Sequence, residues 1–329
     1  MLENIDSIIN KINPNLNETF KYYLRLFLYG LSSINVLPDD ITIEDVAHTI
    51  LNNYDQILFY DIDKNIDDKL GIDIKSYSDI SKRTIYIRNR VESYLQEIAI
   101  FKELTKAAQT NSDLKVGINK GTFYGKLIVE AESQLCAEKI YSYISNYSFD
   151  DKLIPTEHAR MNKGGTIVSN LHDSELYDAM LTKLAIIMEE PKDYFITINF
   201  LNEFLDSMMM TQGVYELKKK YDQVKRKREL PFTLEEIMWM FDYIYAVDYY
   251  SAVECNDKND VAKGELSKET YRIHGNGRKT HLSKDAQMTF VNRFDMELLK
   301  SVKFNKIIRK RFSKYIVKND LRFFAEHML

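Results

Sequence analysis

The sequence has little of what punctuates or cross-links a fold. Of its 329 residues only two are cysteine, five proline, eleven glycine and one tryptophan. Two cysteines cannot build a disulfide framework, and Cys136 and Cys255 form no C-x-x-C pair, so reduced thiols in a reducing compartment are expected. The low Gly and Pro content excludes a collagen-like chain and argues against a sandwich or barrel, which needs many tight turns. No run reaches the ~18 uninterrupted apolar residues of a membrane span. The nearest, Tyr194 to Met210, is broken by Asn199, Asn202, Glu203 and Asp206. The N-terminus carries Glu3 and Asp6 where a secretory signal would carry basic residues and then an apolar run. These features predict a soluble, unexported, cytoplasmic protein. Ile, Asn, Lys and Tyr, all served by AT-rich codons, recur heavily, which suits an AT-rich bacterium, a phage or a virus as the source, with host cytoplasm or virion as the setting in the last two cases.

What is present is ordinary globular composition, 45% hydrophobic and 29% charged, which excludes a mainly disordered chain. Apolar residues return every three or four positions over most of the length, the period of a half-buried helix. The reading is a mainly α, multi-helix, bundle-like architecture with one small β-hairpin or short sheet. A long helix is expected from Ser78 to about Gln109, striped by Ile80, Ile87, Val91, Leu95, Ile98 and Phe101. Another is expected after Pro231, where Thr233 and Glu236 form a capping box. Further helices are expected at 16–34, 41–53, 133–146, 174–189, 193–210, 214–228, 286–300 and 303–317. The hairpin is expected at 114–130, around Asn119-Lys120-Gly121 and the β-branched pair Ile128-Val129. Along the chain, an acidic helical region (1–150) is followed by an irregular connection (151–170) and a helical region with a basic surface (171–329). A second irregular stretch of about thirty polar residues runs from Asn256 to Asp285.

Charge is uneven. The chain holds 45 basic and 49 acidic side chains, net −4. Val36 to Asp73 has ten acidic residues against two basic, net −8, whereas Lys263 to the end has sixteen basic against seven acidic, net +9. A second basic cluster, Lys218 to Arg228, follows a helical seam of Val214, Leu217, Tyr221 and Val224. Local potential governs attraction to a polyanion, so the candidate binding residues are Lys218, Lys219, Lys220, Lys225, Arg226, Lys227 and Arg228, with Arg272, Arg278 and Lys279 around His274 and His281. Lys303, Lys306, Arg309, Lys310, Arg311 and Lys314 of the C-terminal helix complete the set. The competing reading of each cluster is a solvated helix face or an exposed basic loop. For 303–317 an amphipathic membrane-surface helix is a further alternative.

Catalytic and metal chemistry finds no such concentration. Gly117 to Lys126 and Asn162 to Thr166 contain Gly, Lys and Thr but do not match a phosphate-binding loop. The Asp61, Asp63, Asp67, Asp68 cluster lacks the Gly and Glu of a calcium loop. Zinc would need ligands at closer spacing than His274, His281 and Cys255 offer. His158, beside Glu157 and Arg160, has no partner legible in the sequence. Glu235 and Asp242, two turns apart on one helix, are expected at the edge of a core. No catalytic residue, metal or cofactor is therefore assigned. The sequence reads as a non-enzymatic helical assembly or nucleic-acid-associated protein, with nucleic acid, an acidic protein surface or further copies as partners. The alternatives are an enzyme acting on phosphate-bearing or nucleic-acid substrates, with 256–285 as a clamp, and a protein scaffold with charged faces.

Overall fold

A computed structural model of the chain describes residues 2–61, 76–89, 93–111, 126–145, 159–161, 167–169, 181, 184–208, 210–230, 233–234, 237–238, 271–273 and 279–281. Two compact units interleave along the sequence. The first comprises Met1–Gly121, Glu132–Leu153 and Asp193–Tyr215; the second comprises Thr122–Ala131, Ile154–Lys192 and Glu216–Leu329. Among the described residues the fold is mainly helical, with one three-stranded sheet and short hairpins.

The first unit opens with α1 (Leu2–Ile12), α2 (Glu18–Ser33) and α3 (Ile43–Asn53). Local chemistry sets their starts. The Asn17 side chain accepts from the Phe20 N–H, and Thr42 with Asp45 forms a reciprocal capping box at α3. Each satisfies backbone donors that the first helical turn leaves without partners. Helix α1 is not among the elements expected above. Its eleven residues are too few to stand alone in water; docking of Ile5 and Ile9 and the 2.8 Å Lys11–Glu44 bridge to α3 hold it.

A three-stranded sheet follows: β1 (Gln56–Tyr60), β2 (Ser76–Asp79) and β3 (Thr84–Arg88). The order is β1-β3-β2, with β3 parallel to β1 and antiparallel to β2. This corrects the expected 78–109 helix. Its first third is the end of a strand, a 3₁₀ turn (Ile80–Lys82) and β3, and only Ser93–Gln109 is helical (α4). Thr84-Ile-Tyr-Ile is a β-branched and aromatic run whose period-2 alternation the longer helical stripe concealed. Arg83 breaks the helix outright, since its φ of 53° is left-handed.

Helix α5 (Lys126–Ser145) and helix α6 (Asp193–Phe200) complete the first unit's packing. Ile128 and Val129 lie in α5, buried, so the C-terminal arm of the expected 114–130 hairpin is helix; residues 112–125 lie outside the described residues. The expected 193–210 helix stops at Phe200 and gives way to a two-residue-stranded hairpin, β6 (Phe204–Leu205) with β7 (Met210–Thr211). Inward residues of the six helices α1 to α6 and the sheet form one core. Phe20, Leu24, Phe27, Ile50, Ile85, Ile87, Phe101, Leu104, Cys136, Ile140, Ile196 and Phe200 are all at most 2% exposed. Each such side chain withdrawn from water stabilises by roughly 1.5–3 kcal/mol before entropy is counted.

The second unit contains a helical stretch through 184–188, α7 (Gln212–Arg228, which begins in the first unit) and two hairpins. β4 (Ala159–Met161) pairs antiparallel with β5 (Ile167–Ser169), and β8 (Tyr271–Ile273) with β9 (Lys279–His281). The first places paired strands in the connection expected to be irregular, and the second places them within the expected 256–285 loop. The expected helices at 286–300 and 303–317, and most of that at 233–254, lie outside the described residues.

Two measurements test this packing. A Cβ built on Gly30 of α2 would sit 2.6 Å from Ile140 Cγ2 and 3.2 Å from Ile144 Cδ1. Gly30→Ala is therefore expected to destabilise by about 1–3 kcal/mol through overpacking, despite Ala's higher helix propensity. Denaturant melts should show the cost shrinking in an Ile140→Ala background, a favourable coupling in the double-mutant cycle. Thr42→Ala should cost about 1 kcal/mol near neutral pH. The Thr42 hydroxyl and backbone N–H hold the Asp45 carboxyl below its ordinary pKa. That contribution is present above the unfolded carboxylate pKa and lost as pH falls through the folded one. The gap between Thr42→Ala and wild type should accordingly narrow in acid melts.

Candidate functional site

The described part of the basic surface is α7. Leu217, Tyr221 and Val224 are buried at the 4-3 spacing of one helical face, which anchors the helix and orients the rest. Seven Lys and Arg lie between Glu216 and Glu229, interleaved with three carboxylates, Glu216, Asp222 and Glu229. The helix ends by its own backbone. Glu229 adopts φ 52° and the Leu230 N–H donates back to the Lys225 carbonyl at 3.1 Å, closing a Schellman turn before Pro231. The helical stretch at 184–188 ends the same way, with Glu189 at φ 57° and the Glu190 N–H on the Ala185 carbonyl at 3.0 Å. Such turns satisfy carbonyls at a helix end that otherwise lack donors.

The two helix ends meet through charge. Lys220 Nζ donates to Glu190 Oε1, Lys227 Nζ donates to Glu189 Oε2 at 2.8 Å, and Arg228 Nη1 donates to the Ile187 carbonyl at 3.1 Å. At 100° per residue, Lys220 and Lys227 fall on one flank of the buried stripe. That flank is engaged by the protein's own acids and carbonyls. On the other flank and the crest stand Lys218, Lys219, Lys225 and Arg226, with Asp222 and Glu229 among them. Lys219 bridges Glu216 at 3.4 Å, and Arg226 Nε donates to the Asp222 carbonyl at 3.1 Å. Lys218, Lys219, Arg226 and Lys227 are exposed to solvent. Exposed pairs such as Lys219–Glu216 are worth ~0–1 kcal/mol and open readily for a stronger anion.

The structure thus brings together only part of the expected set. Lys218, Lys219, Lys220, Lys225, Arg226, Lys227 and Arg228 share one helix. Arg272 and Lys279 stand in the β8–β9 hairpin, where Arg272 pairs with Thr280 and Lys279 with Ile273. Arg278, His274, Lys303, Lys306, Arg309, Lys310, Arg311 and Lys314 lie outside the described residues, as do His158, Cys255, Glu235 and Asp242. Arg160 lies in β4, opposite Val168. Sequence reasoning missed Glu189 and Glu190 as partners of α7. The available signal was an acidic pair just before Pro191, beyond the end of an apolar helical run.

Other chemistry-bearing groups in the first unit serve its packing. Gln109 Nε2 donates to Glu132 Oε2 at 2.9 Å between α4 and α5, with both residues fully buried. Ser76 Oγ donates to Glu103 Oε1 at 2.9 Å, and Lys106 Nζ reaches the same carboxylate at 3.1 Å. Burial and then the Glu132 charge push the Cys136 thiol well above its ordinary pKa. A protonated, enclosed thiol is neither nucleophile nor ligand. Among the described residues no group of three or more His, Cys, Asp and Glu could hold a metal ion, and no helix is long and apolar enough to cross a membrane.

The pairing at α7 is testable by neutralising its acids. Glu189→Gln and Glu190→Gln should each lower stability by no more than about 1 kcal/mol, because the pairs remain partly solvated. Both should lengthen retention on a polyanionic resin by releasing Lys227 and Lys220. Chemical melts and a salt-gradient elution read the two effects separately. Comparison of the chain with protein-family models, with curated proteins and with solved structures found no match to any of them.

Proposed function

We propose that this protein is a non-enzymatic, helix-rich assembly or nucleic-acid-associated component that holds a polyanion on the basic surface of its C-terminal half. The observation that carries this reading is the outward set of Lys218, Lys219 and Arg226 on a helix fixed from beneath by Leu217, Tyr221 and Val224. A cation on a rigid element loses little freedom when a phosphate arrives, so its attraction is not spent on ordering the backbone. The net charge of +9 from Lys263 onward extends the same sign along the chain. Lys303, Lys306, Arg309, Lys310, Arg311 and Lys314 are the residues of that stretch proposed to contribute, with Arg272, Arg278 and Lys279 between the two clusters.

Phosphate contacts of this kind position a partner without reading sequence. The proposed partner is nucleic acid as a polymer, or an acidic protein surface of similar charge density. The acidic stretch from Val36 to Asp73, net −8, suits contact with basic surfaces of neighbouring copies. Opposite charges on different parts of one chain favour head-to-tail association, the arrangement of a nucleoprotein array or a phage or viral particle.

The test is binding of a labelled DNA duplex by the full chain across a salt series. Binding should weaken steeply with salt, the logarithm of affinity falling by about 0.9 per neutralised phosphate for each decade of salt. Lys218→Glu, Lys219→Glu and Arg226→Glu together should flatten that slope by roughly two to three contacts. The same reversal at Lys303, Lys306, Arg309, Lys310 and Arg311 should flatten it further. Absent or salt-insensitive binding would overturn the nucleic-acid reading.

A further inference from the structure

A surface in the first unit points to a second binding mode, independent of the basic helix. Among the described residues, strand β1 is an edge of the β1-β3-β2 sheet. Its parallel partner takes up alternate residues only. The Gln56 N–H donates to the Arg83 carbonyl at 3.4 Å, and the Asn89 N–H donates to the Tyr60 carbonyl at 2.8 Å. In a parallel ladder the residues between follow the same alternation. Gln56, Leu58 and Tyr60 therefore turn their backbone groups towards β3, and Ile57 and Phe59 turn theirs to the open side. Edge strands are ordinarily guarded by Lys, Pro, a bulge or a covering element. The run Gln-Ile-Leu-Phe-Tyr has no charge and no proline, and it leaves Leu58 44% and Phe59 38% exposed.

The surroundings select the occupant. The sequence from Val36 to Asp61 holds six carboxylates and no Lys or Arg, and of these Asp55 and Asp61 flank β1 directly. Two of the six are already paired, Glu44 with Lys11 and Asp55 with Arg83. On the sheet face that Leu58 shares, Tyr86 and Tyr77 stand opposite one another in register and stack at 4.5 Å, and Tyr60 meets both edge-on. Lys82 Nζ already lies 5.8 Å from the centroid of the Tyr86 ring, so this face accommodates a cation over an aromatic ring. Antiparallel pairing of β1 with a second copy centred on Leu58 would instead bring Asp55 towards the other copy's Asp61, which disfavours self-pairing.

We propose that β1 accepts an extended, lysine- or arginine-bearing segment of a protein partner as an added strand. Main-chain hydrogen bonds would form at Ile57 and Phe59. Apolar side chains of the guest would lie beside Phe59, and its cations beside Tyr60 and Asp61. Strand addition draws affinity from the backbone and selectivity from alternate side chains.

The experiment measures anisotropy of a short labelled peptide of alternating Val and Lys titrated with the full chain. Binding is expected, and replacing each Lys of the peptide by Glu should abolish it. Phe59→Pro should weaken binding about tenfold or more, since proline there deletes an outward N–H and spares the bonds to β3. A peptide methylated on its outward-pairing backbone nitrogens should fail against the unaltered protein, which keeps the test decisive even where Phe59→Pro unfolds. Retention of Phe59→Pro on a polyanion should be unchanged, separating this surface from the basic helix. Equal binding of the Lys and Glu peptides, full binding of the methylated peptide, or dimerisation through β1 without peptide uptake would each overturn the proposal.

Discussion

One guanidinium organises the sheet. Arg83 Nε bonds Asp55 Oδ2 at 2.7 Å, Nη1 the Asn52 carbonyl at 2.6 Å and Nη2 the Leu51 carbonyl at 2.7 Å. Its own carbonyl accepts from the Asp55 and Gln56 N–H groups. A single residue thus closes the C-terminal end of α3, fixes where β1 begins and sets the parallel register of β1 with β3. Its left-handed φ of 53° costs a non-glycine residue about 1 kcal/mol or more. The planar fork, matched to a carboxylate and two carbonyls, offsets that strain in a way glycine could not. Lysine has no fork and would reach at most part of the set. Everything built on the sheet follows from this point, including which residues of β1 face outward and the packing of Ile57, Ile85 and Ile87 into the helical core.

The same economy of charge governs α7. Seven cations on a short helix would repel one another strongly if left alone. Glu216 and Asp222 on the helix, Glu229 just past its end, and Glu189 and Glu190 reduce the local excess to two positive charges. The pairing falls unevenly around the axis. Lys220, Lys227 and Arg228 join two helix ends, whereas Lys218, Lys219 and Arg226 face water. A basic run in a sequence is therefore two things at once here, a joint on one flank and a presented surface on the other.

The sequence made the helices legible where an apolar stripe and a cap agreed. Helices α2 and α3 match their expected spans to within two residues, and of the expected seam Leu217, Tyr221 and Val224 are buried while Val214 is half-buried. It misled where two periods overlapped. Ile80 and Ile87 continue the helical stripe of Ile98 and Phe101 by coincidence of spacing, while Ile85 and Ile87 belong to a strand. The pair Ile128-Val129 shows the reverse, β-branched residues held in a helix because burial outweighs a propensity difference of under 1 kcal/mol. The counter-charges of α7 were hidden for a different reason. Glu189 and Glu190 lie some thirty residues before their partners, and no local pattern records a tertiary ion pair.

The buried polar seam between α4 and α5 explains how a helix can be enclosed without an apolar surface all round. Helix α4 buries Thr105 and Gln109 alongside Phe101 and Leu104, and α5 buries Glu132 and Ser133 alongside Ala137 and Ile140. Apolar contacts alone would tolerate a slide of one turn between two such helices. The 2.9 Å amide-to-carboxylate bond from Gln109 to Glu132 does not tolerate it, because a slipped register would leave a charge buried without its donor,. The Thr105 hydroxyl returns to the Phe101 carbonyl at 2.8 Å, so the side chain is buried with its donor satisfied within α4. Close packing at Gly30 and Ile140 sets how near α2 and α5 approach, and the polar seam sets where along its length α5 stops against α4. The first contact fixes a distance and the second a register, and the core of this unit requires both.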